Sequence, residues 1–133
     1  MFIEWNSINS VNVKEIDIQH KIFISIVNRL DDLKNTGQKE AIDNLLAELK
    51  DYALFHFATE EKYFAKFGYP EAEVRKTEHA VYVEKINEFE GKYNLLGAEV
   101  IEELLTFLRT WWLNHINSAD KRYIDFFNEH GLY

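Results

Sequence analysis

Four long stretches of the sequence repeat apolar residues at the spacing of an α-helix, and only short breaks separate them. The apolar seams run from Ile16 to Leu30, from Ile42 to Phe67, from Ala72 to Tyr93 and from Ile101 to His115. Residues three and four apart lie on one face of a helix, so each stretch predicts a helix with one buried side. Short connections favour antiparallel neighbours. The sequence therefore predicts an all-α, up-down-up-down antiparallel four-helix bundle.

Shorter segments flank the predicted bundle. Residues 1–15 contain no long repeat, but they carry apolar side chains that predict an N-terminal arm laid over the bundle: Phe2, Ile3, Trp5 and Ile8. Asp17 is predicted to cap the first helix, and a short C-terminal helix is expected from about 119 to 128. We expect the whole chain, 1–133, to form a single domain with one core.

Composition and charge limit the partners of the chain. Hydrophobic residues make up 47% of it and aromatic residues 15%, which favours a packed globule over a disordered chain. A net charge of −8 argues against a nucleic-acid partner. The absence of cysteine excludes disulfides and thiolate sites and suits a reducing compartment. With neither a signal peptide nor a membrane span in the sequence, a cytoplasmic location is expected.

Two polar residues interrupt the apolar seam of the second helix. His56 and Glu60 are four residues apart, so they point together into the predicted core. Burying a carboxylate is costly unless a positive charge meets it. An imidazole nitrogen and a carboxylate oxygen on one buried face suit a transition metal such as iron.

Each of the four predicted helices has one histidine on its seam: His20, His56, His79 and His115. One seam histidine is commonly an ordinary core residue, but four beside a buried glutamate predict a shared site. Asp120 follows His115 by five residues, about 140° around a regular helix. Both can face inward only if the helix widens or ends there.

This ordered set resembles the hemerythrin family, and within it the bacterial single-domain hemerythrins. The resemblance is carried by Asp17-x-Gln-His20, His56-x-x-x-Glu60, His79 and His115-x-x-x-x-Asp120, and it covers nearly the whole chain. It implies a non-haem di-iron centre with two iron ions and an oxo or hydroxo bridge, which binds dioxygen at one iron.

The resemblance also implies a role for each residue. His20 and His56 would hold the iron that binds dioxygen, His79 and His115 the other iron, and Glu60 and Asp120 would bridge them. Five further residues match the wall of the family's oxygen pocket: Phe23, Phe57, Trp111, Trp112 and Tyr123.

The sequence departs from the family pattern at one ligand position. Arg75 stands four residues before His79, where the family normally has a second histidine, and a protonated guanidinium has no lone pair for a metal. Helical geometry predicts that neither Glu71 nor Glu78 replaces it easily. Three interpretations remain open: both irons stay and one has an open position, Arg75 pairs with Glu60 or Asp120 after loss of metal, or Arg75 turns to solvent.

The predicted function is reversible dioxygen binding for storage, delivery or sensing by a monomer, with no catalytic residue. Two alternatives differ in class. One is a di-iron oxidase or peroxidase, made possible by the missing ligand at Arg75, whose open position could also bind peroxide or a small anion. The other is an iron-buffering protein without oxygen chemistry.

Overall fold

The computed structural model describes the backbone of residues 2–133 and the side chains of residues 2–115 and 122–133. The chain forms five α-helices in this part: α1 (Lys14–Leu33), α2 (Lys39–Phe67), α3 (Ala72–Leu96), α4 (Glu99–Trp111) and α5 (Ile124–Glu129). A π-helix (Trp112–Ala119) continues α4, and a 3-10 turn (Asp120–Tyr123) leads into α5. No strand occurs among the described residues.

The four long helices form a closed bundle. Helix α1 packs on α2, α2 on α3, α3 on α4, and α4 returns to α1. Because the connections are short, successive helices run in opposite directions. The predicted all-α, antiparallel four-helix bundle with a short C-terminal helix is confirmed.

Two apolar clusters make up the core, and a layer of polar residues lies between them. Going along α1, Ile16 belongs to one cluster and Phe23 to the other, with buried His20 between them. Along α2, Glu60 likewise lies between Phe57 of one cluster and Phe64 of the other. The polar residues are therefore enclosed by apolar packing above and below.

The N-terminal arm follows the prediction for most of its length. Ile3 is buried, and its backbone N–H and C=O exchange hydrogen bonds with the side-chain amide of Asn28 in α1 at 2.9 Å each. Trp5 packs on Trp112, with ring centroids 6.2 Å apart. Ile8 was wrongly expected to cover the bundle: its side chain is 72% exposed.

The predicted N-cap at Asp17 is wrong. Helix α1 begins at Lys14, which places Asp17 in the first turn. Its carboxylate accepts hydrogen bonds from the Val11 backbone N–H at 2.8 Å and from the Ser10 hydroxyl. Asp17 thus ties the arm to the start of the helix, next to the positive end of the helix dipole.

Among the helices of the described residues, none combines the length and the apolar character that a membrane crossing requires.

Candidate metal centre

Glu60 is the centre of the buried polar layer. It is fully buried, and its Oε1 atom faces two imidazole nitrogens from two helices. Nε2 of His56, one turn earlier on α2, is 3.3 Å from Oε1, and Nε2 of His79 on α3 is 3.2 Å from the same atom. The structure therefore brings together these three predicted site residues.

A hydrogen-bond network fixes the orientation of His56. The Thr59 hydroxyl donates to the Phe55 carbonyl at 3.0 Å, and the Gln19 side-chain amide N–H donates to Thr59 at 3.1 Å. This leaves the Gln19 amide oxygen to accept from Nδ1 of His56, at 2.6 Å. Nδ1 of His56 therefore carries the proton, and Nε2 presents its lone pair toward Glu60.

Glu61 orients His79 in a similar way. Its carboxylate oxygen lies 2.9 Å from Nδ1 of His79, so Nδ1 donates and Nε2 is turned inward. Metal-binding histidines usually have such a partner on the nitrogen away from the metal. Gln19 and Glu61 were not predicted as functional. The sequence signal that could have identified them is adjacency to a predicted ligand: Gln19 precedes His20, and Glu61 follows Glu60.

His20 completes the inner group from α1. It is fully buried, and its ring meets that of His56 edge-on with centroids 4.9 Å apart. Burial, and then the neighbouring His56, lower the pKa of His20 well below the ordinary value. Burial also lowers the pKa of His56. Both imidazoles are therefore neutral near pH 7, the form that can bind a metal.

The charge of Glu60 is maintained despite its burial. Burial alone raises the pKa of this carboxyl, but His56, His79 and Arg75 beside it lower the pKa by more. The carboxyl therefore remains ionised. Among the described side chains, neither oxygen of Glu60 nor Nε2 of His79 has a hydrogen-bond partner.

His115 lies less deep than predicted. Its side chain is 30% exposed, and its ring stacks on Trp111 with centroids 3.9 Å apart. Among the described carboxylates, Glu78 is the one within 4 Å of Nε2 of His115, at 3.8 Å. Of the two alternatives for this interval, a helix that widens or a helix that ends, the structure shows the first, since His115 belongs to the π-helix. The side chain of Asp120 lies outside the described residues.

Arg75 points into the bundle. Only 5% of the residue is exposed, which contradicts the interpretation that it turns to solvent. Its Nη2 atom lies 3.8 Å from Glu60, its Nη1 atom lies 3.3 Å from Glu78, and its guanidinium carbon is 5.9 Å from the centre of the Tyr123 ring. Glu78, which helical geometry predicts to be a poor replacement for the missing histidine, bends its long side chain toward Arg75 and pairs with it.

The donor atoms present suit an iron ion in their chemistry. Two donors in adjacent positions on one ion, each bonded at about 2.1 Å, are about 3.0 Å apart, close to the spacings from Glu60 to His56 and His79. Lone pairs that face one another in a dry core call for a cation between them. The described side chains alone do not complete a metal shell, since no group of three or more has that geometry. The contacts are pairwise instead: His56 contacts Glu60, and His79 contacts Glu60.

Aromatic side chains surround the inner group. All five residues of the predicted pocket wall are buried: Phe23, Phe57, Trp111, Trp112 and Tyr123. Trp112 meets the His20 ring edge-on at 5.9 Å, and Phe57 stacks on His79 at 3.9 Å. These contacts restrict the access of water to the imidazoles.

Comparisons with known proteins agree with this architecture. The family model of the hemerythrin HHE cation binding domain matches residues 11–127. The chain is 37% identical to a bacteriohemerythrin of Methylococcus capsulatus, covering 84% of this chain and 86% of that protein. It is 34% identical to one of Clostridium acetobutylicum, covering 94% and 100%. A crystal structure of wild-type hemerythrin superposes with a TM-score of 0.85 at 34% identity, over 92% of this chain and 95% of the other.

Proposed function

The chain belongs to the hemerythrin family, and from that membership we propose that it binds dioxygen reversibly at a non-haem di-iron centre in the bundle core. In this proposal His20 and His56 hold the iron that binds dioxygen, and His79 and His115 hold the second iron. Glu60 and Asp120 bridge the two ions. The biological role would be storage, delivery or sensing of oxygen in the cytoplasm.

One observation supports the proposal most strongly. His56 and His79 come from different helices, each has its Nδ1 atom held by a hydrogen-bond partner, and each turns Nε2 to the same oxygen of Glu60. Core histidines that only fill space need no such common target. The arrangement is the one expected of ligands held ready for metal.

In this proposal the protein would hold the metal ligands in position and exclude water from the site, and it would supply no catalytic group. When bound, the iron ions supply the electrons and the coordination position that reversible oxygen binding requires. Gln19 and Glu61 keep the imidazole lone pairs directed inward. Phe23 and Trp112, stacked with ring centroids 5.9 Å apart, would exclude water from the side nearest His20 and so slow the loss of bound oxygen.

Oxygen uptake by ferrous protein tests this function against the enzyme alternative. A carrier takes up oxygen until it is saturated, stops, and releases the oxygen under argon. Glu60→Ala protein should take up none, because the proposed bridge and the iron are lost. Continued oxygen consumption in the presence of a reductant, or turnover of added peroxide, would contradict the proposal and support an oxidase or peroxidase.

A further inference from the structure

Arg75 places a permanent positive charge beside the buried carboxylate of Glu60. Its Nη2 atom lies 3.8 Å from Oε2 of Glu60, and only 6% of the Arg75 side chain and 1% of the Glu60 side chain are exposed. We propose that Arg75 is a counter-ion built into the bundle, which balances the charge of Glu60 and keeps the protein folded when no metal is bound. This inference goes beyond the proposed function and does not depend on it.

The burial of Glu60 requires a positive charge nearby, because an ionised carboxylate in a dry core is strongly unfavourable without one. Three basic side chains among the described residues lie within 4 Å of it: His56, His79 and Arg75. Imidazole groups gain and lose their charge near neutral pH, whereas a guanidinium stays charged. Arg75 is therefore the group of these three whose charge is constant.

Neighbouring side chains hold the guanidinium in this position. Its Nη1 atom donates a hydrogen bond to Oε2 of Glu78 at 3.3 Å, and its central carbon lies 5.9 Å from the centre of the Tyr123 ring. Both contacts favour a cation. The Glu78 side chain is 31% exposed, so it stays partly hydrated and pairs with Arg75 at a lower desolvation cost than a second fully buried carboxylate would.

The identity of residue 75 supports the same role. A histidine at this position, as in the family pattern, would offer a lone pair to a metal, but as a neutral imidazole it would give Glu60 no positive charge. An arginine offers no lone pair and brings a charge of its own. The exchange of one ligand for a cation therefore transfers part of the charge balance in the core from bound metal to the chain itself.

Urea unfolding of chelator-treated protein at pH 7.5, followed by circular dichroism, tests the proposal. Wild-type protein should be helical without metal and should unfold cooperatively. Arg75→Met keeps a long side chain but removes the charge, and should lower the equilibrium constant for folding about 100-fold because Glu60 then lacks its counter-ion. Arg75→Lys keeps the charge and should lower it less.

A double variant separates the charge pair from simple packing. Glu60→Gln combined with Arg75→Met removes both charges, so its folding equilibrium constant should be at least about 10-fold above that of Arg75→Met. The same cycle on Arg29 and Glu48, a pair whose side chains are 48% and 46% exposed, is the control. That pair should show a coupling of less than about fivefold.

Two results would overturn the proposal: metal-free Arg75→Met as stable as wild type, or a double variant no more stable than Arg75→Met. If Arg75→Met does not fold at all, folding of the double variant supports the proposal and its failure to fold overturns it. Wild-type protein that unfolds on removal of metal would also overturn it. Wild-type protein that folds without metal but retains no added iron would support this inference while contradicting the proposed function.

Discussion

A carboxylate removed from water is costly unless a positive charge faces it, and Glu60 is fully buried. The sequence placed Glu60 and His56 on the same inward face, and the structure confirms that both are buried. It adds Gln19 and Glu61, which hold the two imidazoles that face Glu60. Periodicity could not identify them, because their role depends on contacts between helices.

Gln19 should matter for metal affinity without being a ligand. Replacing it by alanine removes the acceptor for Nδ1 of His56 and frees the ring to rotate or change tautomer. We expect Gln19→Ala to weaken iron binding about 10- to 100-fold, as measured by competition with a chelator. Gln38→Ala, at an exposed position before α2, is the control. If wild type, Gln19→Ala and Gln38→Ala bound iron with equal affinity, the hydrogen-bond network would not support the site.

The buried histidines predict a loss of apo-protein stability in acid. The pKa values of His20 and His56 are below the ordinary 6.5 in the folded protein, so the unfolded chain takes up protons first as the pH falls. Their contribution to stability is present above about pH 6.5 and declines as the pH falls toward the lowered values. Each contributes a slope of at most about 1.4 kcal/mol per pH unit.

Urea unfolding of chelator-treated protein between pH 7.5 and 5.5 measures this slope. His56→Gln should flatten the pH dependence, whereas Gln38→Ala, at an exposed position that does not titrate, should leave it unchanged. A free energy of unfolding that is constant over this range would contradict the burial of neutral histidines.

The helices show which parts of the structure the sequence could predict. Apolar spacing and the glycine-containing breaks determine α1 to α4. The interval from His115 to Asp120 required a helix that either widens or ends, and the π-helix shows that it widens. The contact of Glu78 with Arg75 was not predictable, because periodicity gives the direction of a Cβ atom and not the end of a long side chain. Asp17 was mistaken for a cap because its partners lie on the arm.

Two glycines, one at the end of a helix and one inside a helix, provide a matched test of the assigned helices. Gly68 ends α2 with φ +69°, a left-handed conformation that L-residues adopt at a cost, whereas Gly91 lies inside α3. Beyond the neighbouring backbone, a Cβ atom would meet nothing within 4 Å at either position. The backbone conformation alone should therefore determine the effect of each substitution on stability. Gly68→Ala should lower the free energy of unfolding by about 1 kcal/mol. Gly91→Ala should raise it by about 0.5 to 1 kcal/mol. Changes of the same sign in urea unfolding would contradict these assignments.

Viewed as a whole, the molecule is a bundle whose core is divided by a polar layer. The apolar clusters on either side position the helices, and the layer gathers histidines from neighbouring helices around one glutamate. Without a cation such a layer adds little to the stability of the fold, because buried charged groups stabilise a protein no more than well-packed apolar side chains in the same place would. The proposed metal binding accounts for the presence of this layer in an otherwise apolar core.

The absorption spectrum of iron-loaded protein, recorded through a cycle of argon, air and argon, tests the proposed oxygen-binding centre most directly. We predict a colourless ferrous form that becomes coloured in air and bleaches again when oxygen is removed. His56→Ala should stay colourless throughout because it should not retain iron. Wild-type protein that retains iron but gives no oxygen-dependent band, or whose colour does not reverse under argon, would contradict reversible oxygen binding.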